Sequence, residues 1–189
     1  MKIRNFSNYL KTYFTGFLVF GTCAINPSFG DQTFTLSEGS IEYKVDHLLK
    51  TTHGQSKSIK GKIVCVKPNQ DCDFLFAVPT ASFDSKNSNR DAHMKATIKE
   101  ANFPLATVSG HIRDLIHPEK NQAITVDFAG KKVNYPLTEL TWQAGKRYAL
   151  HAQFALKLTS HEIELPSLLG ASISDSVPIQ VQLVLDSTL

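Results

Sequence analysis

The chain has 189 residues, of which 42% are hydrophobic and 20% charged, with a formal net charge of +3 at pH 7. Lys2, Arg4 and Lys11 lie in a basic start; without them the 20 basic residues fall to 17, equal to the 17 acidic ones. A chain that is neutral beyond its first segment lacks the clustered basic face that nucleic-acid binding needs, and Lys131-Lys132 is only a pair, so no nucleic-acid partner is expected.

Residues 1–30 read as a leader. No acid precedes Asp31, Tyr13 to Ile25 is mostly apolar, and Ser28-Phe29-Gly30 offers small residues for cleavage near Gly30. Cys23 follows Phe20-Gly21-Thr22, a poor lipidation box because Thr22 is bulky. The expectation is a signal peptide over 1–30, a single domain over 31–189, and a periplasmic or secreted location. No second apolar stretch follows, so no stable membrane span is expected after leader removal.

Alternation with period two then dominates. Ile41, Tyr43 and Val45 alternate with Glu42, Lys44 and Asp46; Ile59-Lys60-Gly61-Lys62-Ile63 follows as a second strand. Cys65 and Cys72 flank Pro68-Asn69. If those two form a hairpin turn, Lys67 faces Gln70, Val66 faces Asp71, and Cys65 faces Cys72. Opposed cysteines in an oxidising compartment are expected to form a disulfide. A redox or copper-binding pair is the competing reading, with neither CxxC spacing nor an adjacent Met or His to favour it.

Phe74, Phe76 and Val78 form the next inward set. One helix is expected after them, with Ser88 as its cap, Asp91 completing a capping box and pairing with Lys95, and Met94 and Ile98 sharing a face. Asn102-Phe103-Pro104 ends it. Ile124, Val126 and Phe128 form a further strand. Tyr148, Leu150, Ala152, Phe154, Leu156 and Leu158 form the longest set, and Val177 to Leu185 closes the chain. Roughly eight half-wet antiparallel strands with short turns predict an all-β sandwich or up-and-down barrel.

Two chemistries lack a pattern. The seven histidines form neither His-x-His nor His-x-x-x-His, so no metal site is predicted, although a composite of His47 and His93 stays open. No Gly-x-Ser-x-Gly elbow or Gly-rich phosphate loop is present, and no catalytic residue is assigned. The chain is not expected to be an enzyme.

Several segments, taken in order, are similar to one family. They are Tyr43-Lys44-Val45-Asp46-His47, Ser82-Phe83-Asp84-Ser85-Lys86-Asn87, Arg90-Asp91-x-His93-Met94, Phe103-Pro104, and Phe154-x-Leu156 through Ile163 and Pro166. Together they resemble the YceI-like family. The resemblance implies an eight-stranded antiparallel lipocalin-like barrel with one short helix between strands. It also implies an amphiphilic ligand: a polyprenyl quinone or other isoprenoid, or a fatty-acid amide, held without a covalent cofactor. Under that reading Tyr43, Val45, Ile63, Phe74, Phe76, Val78, Phe128, Tyr148, Leu150, Phe154 and Leu156 line an apolar tunnel. Periodicity alone cannot separate such a tunnel from a filled core. Asn87, Arg90, Asp91 and His93 either face the ligand's polar head at the mouth or serve as scaffold. An exposed apolar mouth would permit a homodimer. The alternatives are an envelope redox accessory built on Cys65 and Cys72, and a solid-core adhesion or partner-binding β-domain.

Overall fold

The computed structural model describes residues 31–168 and 170–188. The expected leader, its cleavage near Gly30 and Cys23 lie outside the described residues. In chain order the elements are β1 (Gln32–His47), β2 (Lys50–Ser56), β3 (Lys60–Lys67), β4 (Gln70–Pro79), a 3-10 turn (Thr80–Ser82), α1 (Ser88–Thr97), β5 (Leu105–Asp114), β6 (Ala123–Phe128), β7 (Lys131–Pro136), β8 (Glu139–Gln143), β9 (Tyr148–Lys157), a second 3-10 turn (Thr159–His161), the small hairpin β10 (Ser167–Leu168) and β11 (Ala171–Ser172), and β12 (Ser176–Thr188). No helix among the described residues is long and apolar enough to cross a membrane.

Ten strands share one antiparallel sheet, yet they amount to eight topological strands, as the lipocalin-like reading expects. β2 and β3 pair with β1 in one register, from Ile41 opposite Ser56 to Gln32 opposite Cys65, so they are two stretches of one strand broken at 57–59. β7 and β8 are likewise one run that changes partner, β7 pairing with β6 and β8 with β9. Backbone bonds mark the change: Leu137 N donates to Gln122 O, and Thr138 N to Gln153 O. β12 pairs with both β1 and β9, so the sheet curls until its two edges, β7 and β8, meet end to end.

Local chemistry fixes this wall. In β1 the ladder to β12 shifts between Leu36 and Glu38. The extra residue, Ser37, donates its hydroxyl to Val184 O at 3.0 Å. This bulge moves the inward phase from Phe34 and Leu36 to Ile41, Tyr43 and Val45. Pro68-Asn69 makes the β3–β4 turn with Asn69 at φ 59°, and Lys67 pairs with Gln70 and Cys65 with Cys72 as the sequence predicts. The expected Val66–Asp71 rung is missing from the ladder, because Asp71 takes φ 50°.

The core is the inner face of the curled sheet. Phe34, Ile63 and Leu185 are wholly buried, with Leu115 and Ile124 nearly so. Each such side chain contributes about 1.5–3 kcal/mol relative to leaving it in water. Cys65 and Cys72, joined as a disulfide, are also wholly buried and form part of this core.

Candidate functional site: the barrel interior

The middle of the barrel holds a cavity of about 60 Å³ whose lining residues are all apolar. Six of the predicted tunnel residues line it: Ile63, Phe74, Phe76, Val78, Leu150 and Phe154. The other five lie elsewhere on the core. Tyr148 stacks on Trp142 with ring centroids 5.3 Å apart, and both meet the Phe34 ring edge-on, which fills the end of the barrel nearest the disulfide. Tyr43 meets Phe83 edge-on at 5.5 Å, near the helix. Phe128 packs edge-on against His161. Leu156 is buried opposite Val177, and Val45 is half-buried against the core.

Sequence reasoning missed several lining residues. Ile41, Ala152, Val181 and Leu183, which belong to the alternating inward sets, also line the cavity. Ile112, Leu137 and Leu140 had no clear phase, since Ile112 lies in a strand with small residues and the other two sit where the chain changes sheet partner. Inward glycines shape the space as much as large residues do. Tyr43, Phe74 and Phe76 each lie over the glycine directly opposite in the ladder, Gly54, Gly110 and Gly61 respectively.

Beside α1, Asn87, Arg90 and Asp91 are hydrogen-bonded locally. Asn87, not the expected Ser88, is the N-cap, and its side-chain oxygen accepts from Arg90 N at 3.0 Å. Asn87 is the residue just outside the helix with extended φ, where a side-chain acceptor reaches the free N–H groups. The Asp91 carboxylate is engaged by Ser85, whose backbone N–H and hydroxyl both donate to it. It is not ion-paired with Lys95 as the spacing suggested. Arg90 donates to the Ser85 hydroxyl through Nε at 2.8 Å and to its carbonyl through the guanidinium. His93 is exposed on the helix. None of the four lines the cavity.

The helix instead meets the barrel through Met94, whose sulfur accepts from the Tyr43 hydroxyl at 3.6 Å. Ile98, its C-cap residue, is buried. Burial pushes the Tyr43 phenol up, and the charge of Asp91 pushes it further, so this hydroxyl stays neutral. The chain leaves the helix at Lys99, φ 54°, before the expected Asn102-Phe103-Pro104 break.

Other chemistries find less support. His47 bonds Ala171 O at 3.0 Å and accepts from Leu49 N. His111 and His151 are exposed. Among the described residues no group of three or more His, Cys, Asp or Glu side chains is placed to hold a metal.

An apolar cavity at the centre of an eight-strand antiparallel wall invites comparison with known proteins. The YceI-like domain matches residues 33–185. The chain belongs to the YceI-like family. Three solved structures share the YceI-like fold at low identity. A polyisoprenoid-binding domain from Saccharophagus degradans, implicated in plant cell wall breakdown, is 14% identical with a TM-score of 0.61, covering 82% of this chain and 98% of that one. Burkholderia cenocepacia BcnA is 15% identical with a TM-score of 0.63, covering 77% and 95%. A Campylobacter jejuni YCEI protein is 18% identical with a TM-score of 0.51, covering 72% and 84%. Comparison with curated proteins finds no match.

Proposed function

We propose that this YceI-like protein binds an amphiphile whose apolar chain enters the barrel interior. The observation that carries the reading is the wholly apolar lining of the central cavity, between walls of strands from all round the barrel. An apolar cavity of this kind stays dry, so an entering chain displaces no tightly held water. Each buried CH₂ gains about 0.8 kcal/mol, and a long tail needs few polar contacts to bind tightly. A polyprenyl quinone or other isoprenoid, or a fatty-acid amide, has that chemistry, and the related Saccharophagus degradans domain is described as polyisoprenoid-binding.

At about 60 Å³ the cavity is narrow, so a long chain enters only as the surrounding side chains move aside. Phe74 and Phe76, which line the cavity, are among the side chains that must move. Binding without catalysis and a periplasmic or secreted location belong to the same reading. The buried Cys65–Cys72 bridge fits an oxidising compartment and acts there as a staple, which disfavours the redox-accessory alternative.

Solvent extraction of the natively purified protein followed by mass spectrometry tests the reading. A co-purifying isoprenoid or fatty-acid amide supports it. An empty barrel that also takes up no polyprenyl probe overturns it and leaves a solid-core partner-binding domain.

A further inference from the structure

A second cavity, of about 110 Å³, lies apart from the barrel interior. It sits between the C-terminal end of α1, the Ala129–Gly130 turn joining β6 to β7, and the segment that follows β9. Its wall is mixed. Ile98, Phe103 and Ile163 supply apolar surface, Thr97 and His161 polar groups, and Lys99, Lys131 and Glu162 charged ones.

His161 is the unusual member. It is 1% exposed, stacked on Tyr135 at 5.8 Å and edge-on to Phe128 at 5.6 Å. Its Nδ1 lies 3.0 Å from Phe128 O and 3.1 Å from Lys131 O. Carbonyl oxygens only accept, so Nδ1 carries a proton and donates. Burial holds the ring below the ordinary histidine range and therefore neutral, which leaves Nε2 as a bare acceptor. Nε2 is buried and has no hydrogen-bond partner among the described residues. A buried acceptor is costly to leave unmet, and native interiors rarely do so without reason. Lys131 and Glu162 pair with each other at 2.6 Å, so that pair offers the cavity little net charge.

We propose that this cavity binds a small neutral group, such as a phenol, that donates an O–H or N–H to Nε2 of His161 while its apolar part packs on Ile98, Phe103 and Ile163. The site is independent of the barrel ligand. A cation would meet the Lys99 and Lys131 ammonium groups at the wall, and an anion would meet the Nε2 lone pair. A neutral donor fits both the lone pair and the apolar wall.

The test is a titration of the purified protein, labelled with ¹⁵N, with phenol and in parallel with anisole, which keeps the ring and lacks the donor. Phenol is expected to move the His161 Nε2 resonance and the amides of Ile98, Gly130 and Ile163, and to bind there at least about tenfold more tightly than anisole. His161→Phe is expected to abolish that response. If this variant does not fold, the comparison of phenol with anisole on the unaltered protein decides alone. Equal binding of the two, or an Nε2 resonance already that of a water-bonded nitrogen and unmoved by phenol, overturns the proposal.

Discussion

Phe76 lies across the backbone of Gly61, its direct partner in the β3–β4 ladder, so closely that a Cβ on residue 61 would collide with both the ring and the Leu75 carbonyl. The missing side chain is filled by the ring opposite, and one strand supplies the bulk that its neighbour lacks.

Gly61→Val therefore overpacks the wall. The expected loss is about 1–3 kcal/mol, read as a lower urea midpoint with an unchanged slope. The colliding Leu75 carbonyl is backbone, which cannot rotate away as a side chain can.

Val78 is buried and lines the central cavity. Val78→Trp should fill that space and reduce uptake of a fluorescent polyprenyl probe severalfold while circular dichroism remains that of a β-protein. Undiminished uptake by a folded variant would show that the chain binds elsewhere.

Cys65 and Cys72 close a loop of sequence separation 7 deep in the core. Replacing both with Ala is expected to cost about 2 kcal/mol. Burial should also protect the bridge, so that mild reductant followed by alkylation labels the cysteines only in urea.

Asp91 accepts from Ser85 and holds the turn before α1. Asp91→Ala should destabilise by about 1.5–3 kcal/mol, the range for hydrogen bonds to a charged group. Probe uptake per folded molecule should be unchanged, whereas a headgroup contact at this position would lower it. His93→Ala, at an exposed position, should change neither stability nor uptake.

His161 adds a pH dependence. Its folded-state pKa is lowered by burial, so the unfolded chain takes up a proton more readily. Its contribution is complete above about pH 6.5 and is lost as pH falls from there through the lowered folded value. Urea midpoints at pH 7.5 and pH 5 should differ, and the difference should shrink in His161→Phe.

The sequence announced the strands wherever alternation was clean, as in Tyr148 to Leu158, and it announced the Cys65–Cys72 pairing because Pro68-Asn69 sets the turn. It did not announce the bulge at Ser37 or the change of partner at Leu137, since period-two patterns carry no mark of where a phase slips. Tyr43 and Tyr148 illustrate the same limit for the site. Their phase points inward, as does that of Phe154, but their height along the barrel places them in the aromatic plugs rather than on the cavity. Height depends on register between distant strands, which local patterning does not contain. Ser88 and Asn87 are both good caps, and only the extended backbone of Asn87 separates them.

The partner change at Leu137 has a mechanical meaning. Neighbouring strands elsewhere in the wall are joined by shared backbone ladders, so prising them apart breaks several bonds together. Between β6 and β9 the continuity passes through one strand that belongs half to each, fastened at the crossing by the Leu137–Gln122 and Thr138–Gln153 bonds. The barrel is thus built like a sleeve with a single basted seam. Aromatic rings stop its disulfide end, and the lengthwise stitch closes its side.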